Sequence, residues 1–235
     1  MMSHVRYRFV DCRWSLADPD EGRRLYRAGH IPGAAHLDVD TDLSGPPGPG
    51  RHPLPSAEAF AAAAGRAGIG DGTFVVAYGS LGGAERLWWL LRHFGHDDCA
   101  VIDLDAWRGP LRGGDEVIEP ATFTPRPRTD DTIGADELAE RRGELVVVDA
   151  RVASRWRGEP NAVDRVPGRI PGALNAPWNE ELPELPPGEL AAYCGSGVTA
   201  CVVLHRLHLA GRDGRLYPGS WSEWETRADL PRETG

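Results

Sequence analysis

The sequence predicts an α/β chain of two similar domains, each a mainly parallel sheet flanked by helices. Three observations carry this prediction: a long internal repeat, an alternation of short apolar runs with longer helical ones, and a proline- and threonine-rich stretch between the two copies.

The repeat comes first. DCRW at 11–14 returns as DARV at 149–152, and GHIPGAAH at 29–36 returns as GRIPGALN at 168–175. Further on, FVVAYG ending at Gly79 is answered by ELAAYC ending at Cys194, and DAWRG around Trp107 by GSWSEW around Trp221. The second copy is about two dozen residues shorter between its Ile-Pro-Gly motif and the loop at Cys194. Self-similarity on this length scale means two domains, not a solenoid.

In chain order, the runs 74–77, 99–104 and 145–148 read as buried strands, being short, continuous and apolar. AERLWWLLRHFG and VTACVVLHRLHLAG have helical length and end at glycine. Strands alternating with helices give parallel sheets covered on their faces. The stretch at 116–132, rich in proline and threonine, reads as a linker between a first domain at 1–115 and a second at 133–235.

With 235 residues, 41% of them hydrophobic, the chain can fill two cores. A net charge of -9 argues against a nucleic-acid or anionic-membrane surface. No apolar run approaches the ~18–20 residues of a membrane span, and the opening MMSHVRYRFVDCRW lacks the apolar core of a secretory signal. A cytoplasmic protein is expected. Four scattered cysteines, Cys12, Cys99, Cys194 and Cys201, with no Cys-x2-Cys pair, read as reduced thiols. All 26 basic residues are arginine, which removes Schiff-base and P-loop chemistry, since both need lysine. Arginine is then the permanent cation for any anionic substrate, and its fork suits carboxylates.

The two copies also act as internal controls. Asp11 and Arg13 match Asp149 and Arg151, so both pairs read as structural ion pairs. The informative differences are Gly79 against Cys194 and His30 against Arg169. Only the second copy places a thiol at a strand-to-helix turn. In Cys194-Gly-Ser-Gly-Val-Thr199, Gly195 and Gly197 permit a nest of backbone N–H groups, and the following helix adds its positive end. Both favour negative charge on sulfur, which makes Cys194 a nucleophile, a buried structural thiol being the other reading. A phosphatase loop would need arginine six residues on, where Ala200 stands. Cys201, His205 and His208 share a helix face but lack a fourth ligand, so they read as core packing. Neither metal nor cofactor is expected.

GHIPGA, YCGSGVTAC and LYPGSWSEW, in that order within a duplicated frame, resemble the tandem-domain sulfurtransferases of the rhodanese and 3-mercaptopyruvate sulfurtransferase family. The resemblance spans nearly the whole chain. It implies two rhodanese-like domains, the first silent, the second carrying the catalytic Cys194. It implies attack on a small-molecule sulfur donor, a persulfide on Cys194, and transfer to cyanide, a thiol or a thioredoxin-like acceptor. The neutral Gly195 and Ser196 resemble the mercaptopyruvate type, whereas thiosulfate-specific members carry two cations there. SRWRGEP resembles the substrate-arginine segment, with Arg155 on its first arginine and Arg165 the nearest candidate for a second. Gly195, Gly197, Val198 and Thr199 would line the donor site. The mercaptopyruvate type also implies a relay from Ser196 to a histidine and an acid, matched here to His30 and to Asp20, with Asp18 also allowed by spacing. A thiosulfate-specific rhodanese and a non-enzymatic sulfur carrier are the competing readings.

Overall fold

The computed structural model describes residues 6–235. Contacts divide the chain into two compact units: the residues up to Gly45 together with Leu54–Arg128, and Pro46–Pro53 together with Thr129–Gly235. This differs from the division expected from sequence in two places. The stretch expected as linker belongs, through Arg128, to the first unit, where Phe123 packs edge-on against Phe60 and Ala121 N–H donates to Gly65 O at 3.0 Å. In the other direction, eight residues from the middle of the first half belong to the second unit.

The first unit runs β1 (Arg6–Cys12), α1 (Glu21–Ala28), β2 (Ala35–His36), α2 (Ala57–Arg66), β3 (Thr73–Gly79), α3 (Gly83–His93) and β4 (Cys99–Val101). Its sheet is fully parallel in the order β2-β1-β3-β4. The run expected as a strand to Leu104 ends at Val101, because Leu104–Ala106 winds into a 3-10 turn.

The second unit runs α4 (Ala135–Arg141), β5 (Val146–Asp149), α5 (Ala153–Trp156), β6 (Leu174–Asn175), β7 (Leu190–Tyr193), α6 (Ala200–Leu209), β8 (Arg215–Leu216) and α7 (Ser220–Trp224). Its sheet repeats the plan as β6-β5-β7-β8, again parallel. Leu138, Val147, Ile170, Tyr193, Trp221 and Trp224 form its core. Among the described residues, no helix is long and apolar enough to cross a membrane.

The repeated motifs have repeated jobs. Asp11 takes the Arg13 guanidinium, whose Nη2 also donates to Gly29 O at 2.7 Å; Asp149 holds Arg151 at 2.6 Å, and Arg151 Nη2 donates to Gly168 O at 2.7 Å. Each pair ties the end of the first strand of its unit to the segment before the Ile-Pro-Gly turn. The tyrosines are equivalent too: Tyr78 accepts from Ile31 N–H and Tyr193 from Ile170 N–H, both at 3.1 Å. Buried charges this well paired are framework, as the sequence comparison indicated.

Candidate active site

Where β3 ends on Gly79, the equivalent β7 is followed by Cys194, and the six residues Cys194–Thr199 join it to α6. Gly197 has φ +81, and a Cβ on it would stand 2.7 Å from Pro218 O, so both conformation and space demand glycine. Gly195 is constrained by space alone. A Cβ there would lie 2.8 Å from Arg155 Nη2 and 2.9 Å from Arg51 Nη2.

The segment 217–222 holds the loop in place. Ser220, at φ +52, is in a conformation uncommon for a residue other than glycine. Its Oγ accepts from Cys194 N–H at 3.1 Å and donates to Tyr217 O at 3.0 Å. Trp221 N–H donates to Cys194 O at 3.0 Å, and Ser222 N–H to Gly195 O at 2.9 Å. The peptide on either side of the thiol is therefore fixed.

Cys194 is 1% exposed, and its Sγ accepts the Gly197 N–H at 3.1 Å. Cys201 Sγ donates to Gly197 O at 3.3 Å, so both ends of that residue are tied to sulfur. Among the described residues, the backbone N–H groups of Gly195, Ser196 and Val198 have no acceptor within the chain. Val198 is buried, and Thr199 begins the ten-residue α6 as its N-cap. One amide on the sulfur, three unused donors in the same six-residue loop and the N-terminus of α6 suit this loop to negative charge.

Two further groups meet this loop. Ser196 Oγ lies 2.6 Å from His52 Nδ1, both residues being buried. The histidine at the loop serine is thus His52, where His30 had been expected. His30 is fully buried in the first unit, with Nδ1 2.8 Å from Tyr26 O, Nε2 3.3 Å from Glu116 and its ring stacked on Tyr26 at 4.0 Å. Its acidic neighbour is Glu116. Asp20 is the exposed N-cap of α1 and pairs with no base among the described residues, and Asp18 pairs with Arg24 at 2.7 Å.

The second group is arginine. Arg155 on α5 reaches Gly195 while its Nε donates to Asp164 Oδ2 at 2.8 Å, and its Nη2 binds the other oxygen. Asp164 also meets Arg151 Nη1 at 3.3 Å and Asn161 Nδ2 at 3.1 Å. Arg165, expected as the second arginine, is exposed and has no partner among the described residues. Arg51 stands at Gly195 instead, its backbone N–H bonded to Ser222 Oγ at 3.0 Å.

Arg51, His52 and Asp164 are the site residues that the sequence comparison had not singled out. One signal for the first two was available: they fall in the extra residues that the first copy holds between Ile-Pro-Gly and the loop. Among the described residues, no three histidine, cysteine or acidic side chains are grouped to hold a metal ion.

The sequence matches the Rhodanese-like domain family over residues 1–108 and 134–227. A Pseudomonas aeruginosa protein named a probable 3-mercaptopyruvate sulfurtransferase is 39% identical, the match covering 96% of this chain and 92% of that protein. A Mycobacterium tuberculosis protein named for thiosulfate sulfurtransferase activity is 36% identical over 94% of this chain and 89% of its own length. The solved structure of 3-mercaptopyruvate sulfurtransferase from Leishmania major superposes with TM-score 0.81 at 30% identity, covering 94% of this chain and 70% of that one.

Proposed function

The chain belongs to the rhodanese-like family and is a sulfurtransferase, and we propose that it takes sulfur from 3-mercaptopyruvate onto Cys194 and passes it to cyanide or a thiol. The observation that carries this reading is the buried Cys194 thiol in its loop of amides, faced by guanidinium groups at Gly195.

The Cys194 thiolate attacks the donor's sulfur. A new S–S bond forms as the C–S bond breaks, and the electron pair of that bond leaves on carbon as the enolate of pyruvate. One proton completes pyruvate. The sulfur now on Cys194 is a persulfide, whose outer atom an acceptor nucleophile removes, restoring the thiolate. No oxidant or reductant enters from outside. The loop amides serve the anionic sulfur in each state, and Arg155 offers the donor's carboxylate the N–H groups that Asp164 leaves unused.

Enolate protonation needs a donor beside the breaking bond, and Ser196 is placed for it two residues after Cys194. Its oxygen lies 2.6 Å from His52 Nδ1; with the ring protonated, Nδ1–H donates to that oxygen, and as the hydroxyl gives its proton to the enolate carbon the imidazolium replaces it and is left as neutral imidazole. We assign this relay to Ser196 and His52, in place of His30 and Asp20. Ser196→Ala and His52→Ala should each lower kcat with mercaptopyruvate by about a hundredfold. Both should leave transfer from the preformed persulfide to cyanide nearly unchanged, because no carbon leaving group is protonated in that half-reaction. Stopped-flow assay of the two half-reactions checks this, and equal losses in both would remove the relay.

Thiosulfate is the competing donor, and the Mycobacterium relative's name keeps it in view. The loop side chains at 195 and 196 are uncharged, which favours the monoanionic carboxylate. Comparing kcat/KM for the two donors with cyanide as acceptor decides between them, and a larger value for thiosulfate would reverse the assignment. A stable persulfide with slow turnover on both would mark a sulfur carrier. A thiol or thioredoxin-like physiological acceptor fits the persulfide chemistry. Cytoplasmic localisation stays part of this reading, resting on cysteine usage in the sequence: four scattered thiols with no Cys-x2-Cys pair.

A further inference from the structure

Arg155 and Arg51 place Nη2 atoms 2.8 and 2.9 Å from one point, the position a Gly195 Cβ would take. Their electrostatic situations differ. Arg155 is clamped by the buried Asp164 carboxylate, which accepts from both its Nε and its Nη2. Its charge is largely spent inside the protein. Arg51 forms no ion pair among the described residues; its side chain donates only to Val163 O, at a long 3.3 Å. The residue as a whole is open to solvent, yet desolvation of its guanidinium, and then the charge of Arg155, lower its pKa from the ordinary arginine value. The negative charges that oppose this, in order, are those of Cys194, Asp164 and Glu225.

Two guanidinium groups crowd at one glycine, and Asp164 bonds Arg155 and not Arg51, so Arg51 has no hydrogen-bonded acidic partner among the described residues and is opposed only through space by Cys194, Asp164 and Glu225. The backbone holds it there: Arg51 N–H is fixed to Ser222 Oγ, and Ser222 N–H is fixed to Gly195 O. The absence of a side chain at 195 is what admits both cations to this point.

We propose that Arg51 is the specificity-determining cation of the donor site, the residue whose guanidinium draws and seats the donor's carboxylate. Arg155 acts beside it as a hydrogen-bond donor already paired with Asp164. This rests on the assignment of Cys194 as nucleophile and adds where charge selectivity comes from. A monoanion gives Arg51 the bonded acidic partner it lacks among the described residues, so an anionic reagent should reach Cys194 faster than a neutral one of the same size.

The test uses that contrast on the full chain and needs no turnover. Alkylation of Cys194 by iodoacetate and by iodoacetamide is followed by mass spectrometry, and the ratio of the two rate constants is compared with that of free cysteine. The wild-type ratio should exceed the free-cysteine ratio by roughly tenfold at low salt and fall as sodium chloride is added. Arg51→Gln should bring the ratio near the free-cysteine value; the thiolate fraction of Cys194 enters both rate constants and cancels in the ratio, so the ratio reads the charge preference alone. Arg51→Lys should retain most of the preference, and Arg165→Gln all of it. Arg51→Gln should also raise KM for mercaptopyruvate more than it lowers kcat. An Arg51→Gln ratio equal to that of wild type overturns the proposal. If Arg51→Gln does not fold, the wild type still decides: a ratio equal to that of free cysteine and insensitive to salt overturns it equally. Absence of a persulfide after mercaptopyruvate treatment, with the alkylation preference intact, would instead remove the donor assignment and leave the anion selectivity of Arg51 standing.

Discussion

Cys194→Ser abolishes sulfur transfer, with kcat falling by at least about a thousandfold, since a serine hydroxyl in the same loop is neither ionised nor able to hold a sulfane sulfur. Treatment of the wild type with mercaptopyruvate in the absence of acceptor adds one sulfur atom to the peptide containing Cys194 and to no other. The remaining thiols are unsuited to the role for physical reasons. Burial pushes the Cys12 thiol well up, helped by the charge of Asp11, and pushes Cys99 up to about 12. At neutral pH both are protonated and poor nucleophiles. Cys201 is committed to Gly197 O. Cys12→Ser, Cys99→Ser and Cys201→Ser should therefore keep most of the activity. Substantial turnover by Cys194→Ser, or extra sulfur on another peptide, would displace Cys194 from the centre of the mechanism.

The legible parts of this protein are those that the chain repeats. Asp-x-Arg, Ile-Pro-Gly and the tyrosine before the loop each occur twice, and each pair proved to make the same bonds in its own unit. Comparison between copies also isolated Cys194, because the loop keeps its place while the residue changes from glycine to thiol. The same method misses whatever occurs once. Arg51 and His52 lie in SGPPGPGRHPLPS, a stretch without hydrophobic period or counterpart in the second copy, so neither pattern nor repeat could attach them to a loop more than 140 residues away. Their partners are set by tertiary packing of Pro46–Pro53 into the second unit. His30 enters the expected relay through its place in the GHIPGA motif, and it also differs from Arg169 in the second copy, yet its ring is fully used within the first unit, by Tyr26 and Glu116. A difference between duplicated domains can thus reflect local packing as easily as chemistry. Arg165 was chosen for nearness in sequence to the Ile-Pro-Gly motif, whereas charge is delivered to Gly195 from α5 and from the inserted stretch.

Asp164→Ala should destabilise the protein by about 3 kcal/mol. Its side chain is 2% exposed and binds three others: Arg155, Arg151 and Asn161. Removing it does not orphan Arg151, which keeps Asp149 and Gly168 O. It does strip Arg155 of its only counterion among the described residues, beside a second guanidinium, so the cost follows from the unmatched charge more than from the bonds lost. That restricts the loss to the lower end of the range for breaking buried pairs, since Arg155 retains some contact with solvent. The dependence on pH gives the sign. Burial alone would raise the Asp164 carboxyl, but the hydrogen bond and charge of Arg155, then the charge of Arg151, outweigh it and hold the pKa below the ordinary value. A carboxyl lowered on folding contributes stability above its unfolded value of about 3.9 and loses it as pH falls through the folded value. The gap in unfolding free energy between wild type and Asp164→Ala, measured by urea titration, should be full at pH 7 and shrink below about pH 4. A saturating anion such as pyruvate should narrow the same gap at pH 7, because it supplies to Arg51 and Arg155 the negative charge that the substitution removed. A gap that is absent at pH 7, or that persists unchanged into acid, would mean that Asp164 acts by shape and not as the counterion of the arginine cluster.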